Sequence, residues 1–301
     1  MTLRSRPPAE IAIDASLVRA LLEEQHPDLV HLPLVDSGEG WDNCLFRLGG
    51  DLCVRLPRRA ASAGLIAHEQ TCLPNLAARL PLPIPVPLRI GRPSGLFPWP
   101  WSVTPWFQGQ TALLTPPQDP QATAVALGEF LRALHQPAPA DAPQNPWRGV
   151  PLAARAATFE ETLQQLDGLV DRGKALDVWQ RALSAQPWHG PPVRIHGDLH
   201  PGNLLVIDGR LSAVIDFGDL AAGDPAVDLS IAWMLLPPSA RPAFRAFVRD
   251  QGIPVNEDQW MRARGWALAL GLAFLVHSGD DGGLRALARA TIDAALNDSG
   301  P

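Results

Sequence analysis

Lysine is nearly missing from this chain. Among 25 basic residues only Lys174 is a lysine, so any cation this protein sets against a phosphate is an arginine. Tyrosine is absent and tryptophan abundant, with 10 residues, a bias of composition rather than a sign of function. Cysteine is scarce: Cys44, Cys53 and Cys72 are odd in number and fall in no metal-type pair. That argues against a disulfide framework and reads as small buried residues in a reducing compartment. A basic surplus is missing too. The net charge of −6 and pI near 5.7 are at odds with a general nucleic-acid binder. Long apolar runs are also lacking: the longest, Trp266 to Val276, falls short of the roughly 20 residues that span a bilayer. The first eight residues hold no apolar stretch of the signal-peptide kind. A cytoplasmic protein with no membrane and no nucleic-acid partner is expected.

What is present suits a large folded core. The chain is 46% hydrophobic and 19% charged, and its 301 residues exceed the size at which one core stays undivided, so two lobes are expected. An amphipathic helix is expected over residues 14–26, with Leu17, Leu21 and Leu22 on one face. Strand-like runs follow at Leu32–Val35, Asn43–Leu48 and Leu52–Leu56, the last two joined by Gly49-Gly50-Asp51 as a hairpin. A helix over about Ala63 to Leu80, a proline-alternating extended segment at Pro81–Pro87 and a strand at Trp99–Phe107 close an antiparallel sheet. After Gly109 helical patterns dominate, at Thr123–His135, 151–172, 174–185, 226–236, 239–251 and 257–277. Pro137–Pro146 reads as a loop, and Leu204–Ile207 with Leu211–Ile215 as two short strands around Asp208-Gly209-Arg210. Strands first and helices later make an α+β arrangement, with lobes at 1–107 and 108–301.

The segment that carries chemistry is Ile195-His196-Gly197-Asp198-Leu199-His200-Pro201-Gly202-Asn203, followed by Ile215-Asp216-Phe217-Gly218. Phosphoryl transfer needs a carboxylate to orient the attacking hydroxyl, oxygen ligands for Mg²⁺, and positive charge on the moving group. Asp198, Asn203 and Asp216 supply the first two. Their spacing is similar to the kinase catalytic loop H-R-D-L-x-x-x-N with its D-F-G. A three-residue D-F-G alone is weak; with the loop and a hairpin of the right length between, chance agreement is remote.

The whole stretch, continuing Asp219-Leu220-Ala221-Ala222-Gly223-Asp224-Pro225-Ala226-Val227-Asp228-Leu229, resembles the aminoglycoside phosphotransferase family, which includes macrolide phosphotransferases. The resemblance covers most of the chain, and residues 195–229 carry its specific part. It implies a two-lobed protein-kinase-like fold, an N-terminal nucleotide lobe, and a C-terminal lobe for catalysis and acceptor binding. It makes Asp198 the catalytic base, and Asn203 and Asp216 the Mg²⁺ ligands. His196 is then structural, and Asp228 braces the loop through its backbone. Two readings stand for His200, a substrate or phosphate contact and a solvated loop histidine. Asp224 before Pro225 reads equally as a helix cap.

The nucleotide lobe departs from the protein-kinase pattern. No Gly-x-Gly-x-x-Gly occurs; Ser37-Gly38-Glu39-Gly40-Trp41-Asp42-Asn43 stands in its place, with Ser37, Gly38 and Asn43 expected near the phosphates. Arg55 stands where kinases use lysine, with Arg58 and Arg59 as fallbacks, and Glu69 is its expected partner. The base is expected against the hinge Val103–Phe107, at Thr104 and Trp106. The donor is ATP or GTP.

Only 12 positions separate Asp216 from Asp228, with no Ala-Pro-Glu, which speaks against a protein substrate. The acceptor is therefore a small-molecule hydroxyl. Glu160, Glu161, Asp167, Asp171, Asp280 and Asp281 would suit an aminoglycoside; Trp147, Phe159, Trp179, Trp233 and Trp266 would suit a macrolide. A kinase for an amino alcohol or sugar is a third reading. A non-catalytic nucleotide-binding module is the rival of another class, and it leaves the joint presence of Asp198, Asn203 and Asp216 unexplained.

Overall fold

In the computed structural model, which describes residues 7–250 and 256–298, the chain forms two compact units. The first comprises residues 7–108 together with Val214–Gly218, so the strand end carrying Asp216 packs with the N-terminal residues rather than with residues 108–301 around it. Its sheet arises from simple alternation. In β2 (Asn43–Leu48) the side chains of Cys44, Phe46 and Leu48 are buried, with Leu45 and Arg47 between them less so. The hairpin to β3 (Leu52–Pro57) pairs Leu48 with Leu52. With β1 (Leu34–Glu39), β4 (Arg89–Gly91) and β5 (Trp101–Pro105) it makes an antiparallel sheet of order β1-β2-β3-β5-β4. Helix α1 (Ala15–Gln25) is started by Asp14, whose carboxylate accepts the Leu17 amide at 2.9 Å. It sets Val18, Leu21 and Leu22 into one cluster with Phe46, Val54, Leu56, Trp101 and Val103. Each such side chain contributes about 1.5–3 kcal/mol by leaving water. Helix α2 (Ala60–Ala77) tolerates Pro74 inside its last turns and buries Glu69.

The second unit comprises residues 109–213, 219–250 and 256–298. It contains β6 (Gln110–Thr111), α3 (Pro120–Leu134), α4 (Ala156–Gln165), α5 (Arg172–Ser184), β7 (Val193–Ile195), β8 (Leu204–Ile207), β9 (Arg210–Val214), β10 (Ala221–Gly223), α6 (Ala226–Leu229), α7 (Ile231–Met234), α8 (Arg241–Asp250), α9 (Glu257–His277) and α10 (Gly282–Asn297). Strands β6, β8 and β9 form one small sheet, and β7 pairs antiparallel with β10. Helix α9 is buried over most of its surface, Gln259, Arg262 and Arg264 included, and packs against α4, α5, α6, α7 and α10. No helix among the described residues is long and apolar enough to cross a membrane.

Several elements differ from expectation. The helical pattern of 151–172 is broken into a 3-10 turn at Leu152–Arg155 and α4, and that of 226–236 into two single turns. Helix α10 was not expected, although Asp281 caps it and Leu287, Ala288, Thr291, Ile292 and Ala295 are buried at helical spacing. Tryptophans 179, 233 and 266 and Phe159 are core residues: Phe159 stacks on Trp179 at 4.1 Å, and Trp233 packs on Trp260 at 4.7 Å. Of the five aromatic residues weighed for an apolar acceptor, Trp147 alone is exposed, at 57%.

Candidate active site

In the first unit, β3 and α2 bring Arg55 and Glu69 together. Arg55 Nη1 donates to Glu69 Oε2 at 2.7 Å, with both side chains buried, and Nη2 reaches Asp216 Oδ1 at 3.4 Å. Burial opposes charge on Arg55, but Glu69 and Asp216 outweigh it and hold its pKa above the usual value. Burial also pushes the Glu69 carboxyl up, against the pull of Arg55. Asp216 is half-exposed and sits at φ +61°, a left-handed conformation that side chains rarely adopt.

The fallback arginines are committed elsewhere. Arg58 Nε meets Glu39 at 2.9 Å, and its Nη1 donates to the carbonyls of Gly40 and Trp41. Arg59 pairs with Asp42 at 2.9 Å, and Ser62 donates to the same carboxylate oxygen. Both arginines thus tie down the turn after β1. Strand β1 runs on through Glu39, so Ser37 and Gly38 lie on a strand end and the turn proper is Gly40 to Asp42. Ser37 is exposed; the Gly38 amide is taken by Asp36 Oδ1 at 2.8 Å. Asn43 is buried at the start of β2 with Oδ1 unpaired among the described residues. On β5 Thr104 is buried opposite Cys53, and the Trp106 amide donates to the Asp51 carbonyl at 2.7 Å, under the Arg47 guanidinium.

In the second unit, β7 ends in the loop that carries Asp198. Gly197 turns it at φ +83°, where a Cβ would stand 2.5 Å from the Asp219 carbonyl oxygen, so the turn requires glycine. Asp228, fully buried, accepts the His196 and Gly197 amides at 2.8 Å each and contacts His135 Nε2 at 2.9 Å. His196 is also buried, and its Nδ1 accepts the Asp198 amide at 3.3 Å. The Asp198 carboxylate is approached by Arg148 Nη2 at 3.3 Å on Oδ1, and by His200 Nε2 at 3.4 Å and Asn203 Nδ2 at 3.5 Å on Oδ2. Asn203 Nδ2 also donates to the Asp198 carbonyl at 2.9 Å. His200 Nδ1 accepts the Gly202 amide at 3.0 Å, which puts the ring proton on Nε2, facing Asp198. Burial works against ionisation of Asp198, yet His200, Arg148 and His196 together hold its carboxyl well below the usual range.

Three contacts escaped the sequence reading: Arg148 and His135 at the loop, and Arg262, whose Nε donates to Asp224 Oδ2 at 2.8 Å in a buried pair. Asp224 also caps the next turn through the Ala226 amide. Of the carboxylates weighed as acceptor contacts, Asp171 and Asp281 are helix caps, accepting the amides of Lys174 and Leu284. Glu160, Glu161, Asp167 and Asp280 are exposed.

A model of the phosphotransferase enzyme family matches residues 34–266. The chain belongs to that family. An Escherichia coli aminoglycoside 3'-phosphotransferase is 28% identical over 142 residues, 45% of this chain and 52% of the relative. A homoserine kinase of Granulibacter bethesdensis is 48% identical over 59 residues, 20% of this chain and 18% of the relative. The chain thus matches about half the length of the first curated relative and under a fifth of the second. Among solved structures, the GDP complex of aminoglycoside 2'-phosphotransferase-IIIa superposes with a TM-score of 0.70 at 19% identity, covering 96% of this chain and 100% of that one. The macrolide 2'-phosphotransferase of Brachybacterium faecium, as apoenzyme, gives 0.62 at 20% identity, covering 96% and 99%. The kinase-like α+β fold is therefore shared with phosphotransferases of both kinds.

Proposed function

We propose that this phosphotransferase-family chain moves the γ-phosphate of ATP or GTP onto a hydroxyl of a small molecule, first of all an aminoglycoside. The observation that carries this is Asp198: a carboxylate kept ionised by His200 and Arg148, with Asn203 bound to both its carbonyl and its side chain. In this reading the acceptor oxygen bonds to the γ-phosphorus as the bond to the β,γ-bridging oxygen breaks. The hydroxyl proton passes to Asp198, and the nucleoside diphosphate leaves. Arg55, kept charged by Glu69 and Asp216, is assigned to the nucleotide phosphates, where a guanidinium binds in bidentate fashion. Residues 7–107 are assigned to nucleotide binding, with Ser37, Gly38, Asn43, Thr104 and Trp106 nearby, and residues 108–298 to catalysis and the acceptor.

Asn203 in the second unit and Asp216 in the first are each an oxygen donor of the kind a hard divalent cation takes. Asn203 spends its amide nitrogen on Asp198, which leaves Oδ1 for a ligand role, and the Asp216 carboxylate is half-exposed. The chemistry Mg²⁺ supplies there is neutralisation of phosphate charge. His196 and Asp228 hold the loop in shape. A second acceptor reading, a small amino alcohol, draws on the local likeness to a homoserine kinase. A macrolide stays the alternative antibiotic acceptor: of the tryptophans weighed for it only Trp147 is exposed, just as Asp171 and Asp281, weighed for an aminoglycoside, are helix caps.

The test is phosphate transfer by the purified protein with Mg²⁺, using ATP and GTP separately against aminoglycosides, macrolides and amino alcohols, with Asp198→Ala as control. A phosphorylated acceptor, absent with the variant, supports the reading. Tight nucleotide binding without Asp198-dependent turnover favours the non-catalytic module instead.

A further inference from the structure

Asp198 is met by a guanidinium that comes from outside its own loop. Arg148 places Nη2 at 3.3 Å from Asp198 Oδ1, and its Nε lies 3.6 Å from Asp219 Oδ2, at ion-pair distance without a hydrogen bond, so one guanidinium stands between two carboxylates. Asn145 holds one of these carboxylates and the backbone that carries the arginine. Its Nδ2 donates to Asp219 Oδ1 at 2.6 Å, and its Oδ1 accepts the amides of Trp147 and Arg148 at 2.8 and 3.1 Å.

The segment that carries these residues is anchored by its backbone. The Ala222 amide donates to the Pro143 carbonyl at 2.9 Å, and the Asp224 amide to the Gly149 carbonyl at 2.8 Å. Gly149 has φ +63°, and a Cβ there would stand 2.4 Å from Ile195 Cδ1 and 3.1 Å from the Gly223 Cα. A Cβ on Gly223 would lie 2.4 Å from the Gly149 carbonyl oxygen. Two glycines are therefore needed to let the segment close on β10, and this closeness delivers Arg148 to one place.

The magnitude of the ion pair says what it is for. The side chains of Arg148 and Asp198 are 19% and 25% exposed, and the contact is long, so the pair adds little to stability. Its effect is geometric. His200 and Asn203 reach Oδ2, while Arg148 holds Oδ1 from the other side. Together they fix the plane of the carboxylate, and a base misplaced by about 1 Å can lose on the order of 100-fold in rate.

We propose that Arg148 is a positioning residue for phosphoryl transfer, orienting the Asp198 carboxylate while Asn145 holds the Arg148 backbone amide and Asp219, the second carboxylate beside the guanidinium. The inference rests on Asp198 being the base, as set out above. It extends the working site to the segment Pro143–Gly149, which the motif does not contain.

The test uses the full chain with Mg–ATP and Mg–GTP and water as acceptor, so it does not depend on which alcohol is the substrate. Nucleotide hydrolysis is measured for the wild type, Asp198→Ala, Arg148→Ala, Arg148→Lys and Asn145→Ala, with nucleotide affinity and thermal melting recorded for each. Arg148→Ala is expected to lower kcat by about 100-fold while the nucleotide KM stays within about threefold. Lysine should restore part of the rate, since it keeps the charge but loses the fork. Asn145→Ala should lower kcat in the same direction by a smaller factor. A kcat for Arg148→Ala within twofold of wild type, beside an inactive Asp198→Ala, overturns the proposal and leaves Asp198 as base. Hydrolysis unaffected by Asp198→Ala overturns both. Should Arg148→Ala fail to fold, Arg148→Lys and Asn145→Ala decide, and wild-type kcat in both overturns the proposal.

Discussion

Replacing Glu69 tests the nucleotide unit at its most buried charge. The carboxylate is 1% exposed, its partner Arg55 is 8% exposed, and their contact is 2.7 Å. Removing one member of a buried pair costs about 3–5 kcal/mol, because the other charge is left in a dry site. Asp216 offsets part of this. It lies at 3.4 Å and is half-exposed, so it returns at most about 1 kcal/mol. Glu69→Ala should therefore destabilise the sheet unit by about 2–4 kcal/mol, whereas Glu69→Gln, which keeps an acceptor, should cost less. Because the tryptophans are spread over both units, hydrogen exchange of β3 and α2 amides is the better assay. Their slowest amides should exchange roughly 30- to 1000-fold faster. The double variant Arg55→Met/Glu69→Met removes both charges and should recover most of the stability while losing nucleotide affinity. Exchange in Glu69→Ala within fivefold of wild type would refute the reasoning about burial. Wild-type nucleotide affinity in the double variant would refute the role given to Arg55.

Other perturbations read other parts of the account. Asp228→Ala strands the His196 and Gly197 amides and His135 in a buried site and should cost about 3 kcal/mol or more in urea unfolding; a loss below about 1 kcal/mol contradicts the bracing role. Gly149→Ala puts a methyl 2.4 Å from Ile195 Cδ1 at φ +63° and should destabilise the protein by about 2–5 kcal/mol, seen as a lower melting temperature. Asp198→Ala should lower turnover by about 100-fold or more with nucleotide affinity within about threefold of wild type, by calorimetry. Chelation of Mg²⁺ should stop transfer, and excess Mg²⁺ should restore it; transfer that survives chelation removes the cation role of Asn203 and Asp216.

The loop around Asp198 was legible because one partner is five residues away and the other lies in the same motif, 32 positions from His196. Asn203 is five residues from Asp198 and bonds to it, and Asp228 meets the backbone of the same loop. Arg55 was identified from its place on a strand, and its pairing with Glu69 followed from the helix after it. What escaped are contacts that only folding creates. His135 lies 93 positions from Asp228, and Arg148 lies 50 from Asp198, just past the Pro137–Pro146 stretch that reads as a loop. The acidic acceptor wall dissolved in part for a local reason: Asp171 and Asp281 satisfy helix amides, a role that looks the same in sequence as an exposed charge. Helix α10 was missed although its apolar spacing and its Asp281 cap were both present.

The most direct test of the central claim is the mass of an acceptor incubated with Mg–ATP or Mg–GTP and the purified chain. The reading predicts a gain of one phosphoryl group on one acceptor class, present with wild type and absent with Asp198→Ala. Equal phosphorylation by both proteins would contradict the assignment of Asp198, and with it the chemistry derived from this loop.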